Sequence, residues 1–191
     1  MVEAVRATSG RLLMVIAGVL VLLPSLAAHR LDEYLQATVA MIEPNGIRLR
    51  INLTPGVDVA DQVLAKIDLN RDAVISEREA ATYAESLRRD LVVRLDGSDA
   101  GLEVAALSFP EVDELRTGRG TVRIEFSVSS TPLVVGAHRL TVENRHLPRA
   151  SVYLFNAALP KSGSVKIGRQ KRSNDQHRGE IEFEVVPPAR E

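Results

Sequence analysis

Segments in which apolar and polar residues alternate with a period of two recur along most of the chain. The clearest is residues 121–128, Thr-Val-Arg-Ile-Glu-Phe-Ser-Val, and residues 47–53 alternate in the same way. Because successive side chains of a strand point to opposite faces of a sheet, each segment predicts a strand with one buried face. Residues 47–53 follow a turn signal at residues 44–46 and β-forming residues at 35–42, so this region predicts a hairpin.

Further short strands are predicted where β-forming residues lie between turn signals, at residues 91–95, 102–109, 138–143, 150–157, 164–167 and 180–186. Many short strands at roughly even spacing are typical of two packed sheets. The expected fold is therefore mainly β (α+β), an antiparallel immunoglobulin-like sandwich. We expect it to form a single domain over residues 29–191.

Two segments depart from this alternation. Apolar residues recur at intervals of three and four in residues 57–67 and again in residues 76–91, as on one face of an α-helix. These segments predict a helix–loop–helix inserted in the sandwich at about residues 57–91. A short polar segment at residues 111–116 also has helical character.

The segment that joins the two helices carries oxygen-bearing side chains at regular positions. Residues 68–79 read Asp-Leu-Asn-Arg-Asp-Ala-Val-Ile-Ser-Glu-Arg-Glu, with such side chains at loop positions 1, 3, 5, 9 and 12. The predicted ligands are Asp68, Asn70, Asp72, Ser76 and Glu79, together with the backbone carbonyl of Val74. A calcium ion takes about six to eight oxygen ligands, and a tightly wound loop of this length turns its odd positions toward the ion. The pattern therefore predicts a calcium site.

This loop and its flanking helices resemble the EF-hand family over residues 57–91, and the resemblance includes an apolar residue, Ile75, at loop position 8. Position 6 departs from the family pattern, because Ala73 stands where a glycine with positive φ is usual. A side chain there costs about 1–2 kcal/mol, which lowers affinity roughly tenfold. Since the hand is also a single one, we expect weak calcium binding, with a Kd of ~10⁻⁴–10⁻³ M.

Residues 1–28 have the three parts of a secretory signal peptide. Two basic residues, Arg6 and Arg11, precede the unbroken apolar run 12–23, and small residues follow at a cleavage site after Ala27 or Ala28. The run is shorter than the ~20 residues that span a bilayer, so cleavage is preferred over an uncleaved membrane anchor. The expected location is outside the cytoplasm, either periplasmic or extracellular, and no membrane span is expected in the mature chain.

Composition and missing motifs exclude several classes of function. With 24 basic and 25 acidic residues, the chain has no excess of positive charge for nucleic acid. The absence of Cys removes disulfides, thiolate zinc sites and cysteine nucleophiles. The sequence also lacks a nucleophile elbow, a zinc-protease helix and a phosphate-binding glycine loop, so we expect a protein that is not an enzyme.

His29 supports a different hypothesis. Cleavage after Ala28 would make it the first residue, and an amino-terminal histidine can chelate copper through its amine and imidazole. Three segments, residues 29–36, 143–146 and 151–156, together with residues 53–57, resemble the exported module of HupE/UreJ-like metal-permease proteins. That resemblance implies a metal-related role at the cell envelope.

The sequence thus favours an exported, non-catalytic calcium-binding protein with a structural or weak calcium-sensing role at the envelope and an envelope protein as partner. One alternative is a periplasmic protein that handles copper or nickel through His29. Another is an interaction sandwich in which the calcium loop is vestigial.

Overall fold

The computed structural model describes residues 32–129 and 133–187. The predicted signal peptide at residues 1–28, its cleavage positions Ala27 and Ala28, and His29 lie outside the described residues. The hypotheses that rest on them stay predictions.

The described residues form ten strands and three helices. The first part of the chain contains β1 (Tyr34–Glu43), β2 (Gly46–Pro55), α1 (Val57–Ile67), α2 (Glu77–Asp90), β3 (Leu91–Leu95), β4 (Ser98–Asp99) and β5 (Gly101–Ser108). The second part contains α3 (Val112–Arg116), β6 (Val122–Ser129), β7 (Gly136–Asn144), β8 (Ser151–Ala157), β9 (Val165–Arg172) and β10 (Arg178–Val185). The short strand β4 has no counterpart among the predicted segments.

The strands form two five-stranded sheets that are mostly antiparallel, an arrangement consistent with a β-sandwich. The first sheet has the order β5-β6-β2-β1-β8, and the second has the order β4-β3-β7-β10-β9. Buried side chains from both sheets and from all three helices belong to one hydrophobic core.

The expectation of purely antiparallel sheets is wrong for one pair of strands. β8 runs parallel to β1, with Tyr34 opposite Ser151 and Ala40 opposite Ala157. Parallel neighbours cannot be joined by a tight turn and need a long connection between them. Here that connection includes β2, the helices and most of the second sheet. Alternation within single strands does not indicate such a long-range pairing.

The two sheets approach closely where β8 faces β10. A Cβ at Gly179 of β10 would overlap the ring of Phe155 of β8, so only glycine leaves room for this ring. Arg172 of β9 also donates to the backbone carbonyl of Phe155, and Gln170 accepts from the N–H of Ala157. Side chains from the second sheet therefore cover the outer edge of β8.

The helices α1 and α2 lie where the spacing of apolar residues predicts them. Their buried faces consist of Ala60, Val63, Leu64 and Ile67 in α1 and of Ala80, Tyr83, Ala84 and Leu87 in α2. Both helices thus cover part of the core, and the segment between them lies at the surface. In the described part of the chain, no helix has the length and apolar character needed to cross a membrane.

Candidate metal centre

The segment between α1 and α2 begins and ends with defined capping interactions. The N–H of Asp68 donates to Leu64 O at 2.8 Å and closes the last turn of α1. Ser76 is the N-cap of α2, and its hydroxyl accepts from the N–H of Glu79 at 3.3 Å. The Glu79 side chain accepts in return from the N–H of Ser76, so the two residues form a reciprocal capping box. Positions 9 and 12 of the loop are thereby held together.

The Asp68 carboxylate organises the first half of the loop. Its two oxygens accept from the N–H groups of Asp72 at 3.2 Å and Ala73 at 3.0 Å. Asn70 Oδ1 also accepts from the N–H of Asp72 at 3.1 Å, and Asp72 Oδ1 accepts from the N–H of Val74 at 2.9 Å. The chain is therefore wound tightly around the first acidic side chain, as the predicted positions 1, 3 and 5 require.

Two residues of the loop adopt the left-handed backbone conformation. Ala73 at position 6 has φ of 63°, as its place in the pattern predicts, and Arg71 at position 4 has φ of 62°. Residues other than glycine rarely adopt this conformation, and such strain often lies at functional sites. Nothing in the sequence indicated the strain at Arg71, because its side chain is an ordinary surface residue.

Glu79 joins the two ends of the loop. One of its oxygens accepts from the N–H groups of Leu69 at 2.8 Å and Asn70 at 3.3 Å. The other accepts from the hydroxyl of Ser76 at 2.6 Å and from its N–H at 3.0 Å. The Ser76 hydroxyl, followed by the other donors, lowers the pKa of Glu79 to about 2, although burial opposes the shift. The carboxylate is therefore ionised at neutral pH.

Two of the three acidic residues predicted as ligands are buried, and no basic partner lies beside them among the described residues. Asp68 is 8% exposed and Glu79 is 7% exposed. Within residues 32–129 and 133–187, no basic side chain forms an ion pair with Asp68, Asp72 or Glu79. Buried charges in proteins are usually paired or coordinate a metal, so this pair of carboxylates suits a cation.

The predicted ligands lie in one short segment, residues 68–79. In the described part of the chain, no three acidic or histidine side chains are grouped closely enough to hold a metal ion. A cavity of about 460 Å³ borders the loop, and Leu69, Asn70, Ser76, Arg78, Glu79 and Thr82 line it. Val74, whose carbonyl is the predicted sixth ligand, is 64% exposed.

A second polar cluster, which the sequence did not reveal, lies buried beneath α2. The side chains of Tyr34 and Tyr83 are joined by a hydrogen bond of 2.6 Å between their hydroxyls. The Tyr83 hydroxyl lies 3.1 Å from Nε2 of His146, and Nδ1 of His146 lies 2.7 Å from a carboxylate oxygen of Asp90. We name these four side chains the tyrosine–histidine relay.

Further polar side chains fix the backbone around the relay. Gln36 donates to the carbonyl of His146 at 2.8 Å and accepts from Asn144 at 2.8 Å. Tyr153 donates to the same carbonyl at 2.9 Å, and the Ser151 hydroxyl accepts from Gln36 at 2.6 Å and donates to the neighbouring Leu147 carbonyl at 2.8 Å. These side chains come from three of the segments on which the HupE/UreJ-like resemblance rests. A polar Gln at an inward-facing strand position is the signal that could have indicated the cluster.

The three described histidines do not come together. Each pairs with its own aspartate: His138 with Asp96 at 2.7 Å, His146 with Asp90 at 2.7 Å, and His177 with Asp175 at 2.6 Å. Within residues 32–129 and 133–187 they form no shared metal-binding group.

The chain was also compared with known proteins. No family model, curated protein or solved structure matches it. Its function is therefore inferred from the geometry of the two polar clusters.

Proposed function

We propose that residues 68–79 form a weak calcium site in an exported, non-catalytic protein. The observation that carries this proposal is that the acidic residues Asp68 and Glu79, 8% and 7% exposed, lie at the two ends of one short loop with no basic partner among residues 32–129 and 133–187. Ionised groups with little access to water need hydrogen bonds or a compensating charge, and a divalent cation supplies the charge. The tight winding of the loop and the left-handed Ala73 support the same interpretation.

The proposed ligands are the side-chain oxygens of Asp68, Asn70, Asp72, Ser76 and Glu79 and the carbonyl of Val74. Oxygen ligands of this kind, with three negative charges, suit calcium. Magnesium suits the loop less well, because it demands a rigid octahedron and keeps several of its waters. Calcium would bridge the end of α1 to the start of α2 and so stabilise the helix pair on the core.

Two features explain why binding is weak. The Glu79 oxygens already accept hydrogen bonds from Leu69, Asn70 and Ser76, and an ion competes with these donors. The oxygens of Asp68 and Asp72 likewise accept from backbone N–H groups of the loop, and these bonds also compete with an ion. Both costs reduce the affinity and agree with the millimolar class expected for such extracellular modules.

Calcium titration of the purified chain tests the proposal. We expect the melting temperature to rise with millimolar calcium, because a ligand that binds only the folded state stabilises it. The Glu79→Gln variant should lose this rise. Glu77→Gln is the matched control, since Glu77 is an exposed acidic residue in the same helical turn that is not a proposed ligand, and it should keep the rise. An unchanged melting curve in the unmodified chain would favour an interaction sandwich with a vestigial loop.

The proposal also includes an immunoglobulin-like sandwich with an EF-hand insertion, export to the periplasm or the extracellular space, and an envelope protein as partner. Mass spectrometry of the secreted protein tests export directly, because it reports whether the chain is cleaved after Ala27 or Ala28. An intact residue 1 would contradict it. The competing copper or nickel hypothesis depends on His29, and the separate aspartate partners of the other three histidines give it no support.

A further inference from the structure

His146 connects helix α2 to β1 and β8 of the first sheet, and its backbone N–H donates to Asn144 of β7 in the second sheet. Its ring contacts α2 at two points, Asp90 and Tyr83, and packs edge-on against the Tyr83 ring with centroids 5.4 Å apart. Its backbone carbonyl accepts from Gln36 of β1 and Tyr153 of β8. The side chain is 2% exposed, so the protonation state of one imidazole affects contacts that hold α2 on the core.

The hydrogen bonds of the relay can have only one direction while His146 is neutral. Asp90 accepts from Nδ1–H, which leaves Nε2 without a proton and able to accept from the Tyr83 hydroxyl. The Tyr83 oxygen then accepts from the Tyr34 hydroxyl. In this arrangement every donor of the relay has an acceptor.

A second proton on His146 would reverse this direction. Nε2–H would donate to the Tyr83 oxygen, so only one of the two tyrosine hydroxyls could still find an acceptor, in the other tyrosine. One buried hydroxyl would be left without an acceptor, because Tyr83 is the only hydrogen-bond partner of the Tyr34 hydroxyl within residues 32–129 and 133–187 and Tyr34 is 0% exposed. A buried donor without an acceptor is unfavourable, so protonation weakens the contact between α2 and β1.

The charged and titratable groups around His146 include one that raises its pKa and one that lowers it. They are Asp90 and Tyr83 from α2, Lys66 from α1, Tyr34 from β1 through Tyr83, and Tyr153 from β8, which bonds the His146 carbonyl. Burial lowers the pKa of His146, the Asp90 carboxylate opposes this, and Lys66 adds to the lowering. The pKa of His146 is lowered overall, so the folded state favours the neutral imidazole.

We propose that the tyrosine–histidine relay is a pH-sensitive latch, in which neutral His146 holds helix α2 on the sheets and protonated His146 releases it. This device goes beyond calcium binding and does not require it. Ser76 and Glu79 lie at the N-terminal end of α2. Protonation of His146 would therefore also loosen the C-terminal part of residues 68–79.

The sign of the pH dependence follows from the lowered pKa. Below the usual histidine pKa of ~6.5, the unfolded chain binds a proton that the folded chain excludes. The stability that His146 contributes is therefore fully present above the unfolded-state pKa. It is lost as the pH falls from that pKa toward the lower pKa of the folded state. Acidification in this window should release α2.

Nitrogen-15 NMR of the histidine rings, with a chelator present, tests the latch independently of calcium. At neutral pH we expect His146 in the Nδ1–H tautomer with an unprotonated Nε2, and we expect it to titrate below the value of a free histidine. An Nε2–H tautomer, or an imidazolium at neutral pH, would overturn the proposal. The Asp90 contact alone fixes the Nδ1–H tautomer, so the titration of the ring, together with the stability that depends on it, distinguishes the latch from a purely structural histidine.

Denaturation at a series of pH values provides the second test. The unmodified chain should lose stability between roughly pH 7 and pH 5, the range in which histidine titrates. Tyr34→Phe still leaves the Tyr83 hydroxyl without an acceptor when His146 is protonated, so the loss should persist in this variant. His146→Gln should abolish the loss, and if that variant does not fold, the titration of the His146 ring by NMR decides. A loss of the same size in folded His146→Gln would contradict the latch.

Discussion

Glu79 and Tyr83 lie one helical turn apart on the same buried face of α2. Glu79 closes the loop through Leu69, Asn70 and Ser76, and Tyr83 lies between Tyr34 and His146. The two polar clusters, which come from distant parts of the sequence, are thus connected by a single rigid helix. Amide hydrogen exchange along α2 measures whether a change at one cluster reaches the other.

The first prediction concerns the strained backbone at Ala73. At φ of 63° a glycine is less strained, so Ala73→Gly should stabilise the fold by about 1 kcal/mol and raise calcium affinity by up to about tenfold. Urea denaturation and calcium titration measure the two effects. The control is Ala81→Gly, which places the same change at an exposed position of α2 and should destabilise by about 1 kcal/mol.

The second prediction concerns the capping box. Ser76→Ala removes the N-cap side chain and should destabilise the protein by about 1 kcal/mol. Because the Ser76 hydroxyl is the largest cause of the low pKa of Glu79, that pKa should also rise. Thermal melting and carbon-13 NMR of the carboxyl group measure these effects. Thr82→Ala removes an exposed hydroxyl that bonds only the carbonyl of Arg78, and it should have little effect on either quantity.

The third prediction concerns His138, whose pH dependence should be opposite to that of His146. Burial acts to lower the pKa of His138, but hydrogen bonds to the Val134 carbonyl and to Asp96 outweigh it and raise the pKa. The stability that it contributes is therefore present below the usual histidine pKa and lost as the pH rises through the folded-state value. His138→Gln should reduce stability more at pH ~6 than at pH ~8, as denaturation at the two values will show. An equal reduction at both would contradict the assignment.

The fourth prediction concerns the contact between the sheets. Gly179→Ala places a methyl group on the ring of Phe155 and should destabilise the fold by about 1–3 kcal/mol. Gly163→Ala adds the same group where no atom lies within 4 Å, so its effect should stay within about 0.5 kcal/mol. Thermal melting of both variants measures the difference. Similar melting temperatures would show that the sheets can separate enough to admit the methyl group.

Local patterns predicted the local parts of this structure. The helices at residues 57–67 and 77–90, the hairpin and the winding of residues 68–76 all depend on contacts within a few residues, which periodicity and spacing record. The left-handed backbone conformation of Ala73 is also a local feature, because the position of this residue in the 12-residue pattern predicts a positive φ.

Long-range arrangements could not be predicted in this way. In β1, the inward face includes the polar Gln36 and Thr38, while Leu35 on the other face is 37% exposed. Alternation of apolar and polar residues shows that the two faces of a strand differ. It does not show which residues pack against each face. The partners of Gln36 come from Asn144 and His146, far along the chain, so a buried Gln36 indicates a polar cluster but not its members, and the parallel pairing of β1 with β8 leaves no local signal.

The pairing of β1 with β8 has a consequence for folding. The amide of Gln36 bonds a carbonyl 110 positions later in the chain. During synthesis, the first hairpin therefore emerges with its buried polar groups and both outer strand edges still unpaired, and the edge of β1 waits longest. Contacts so distant in sequence form slowly, since a long loop must close before they can contribute. We expect the nascent hairpin to depend on a chaperone or on delayed collapse until the eighth strand arrives to complete the sheet.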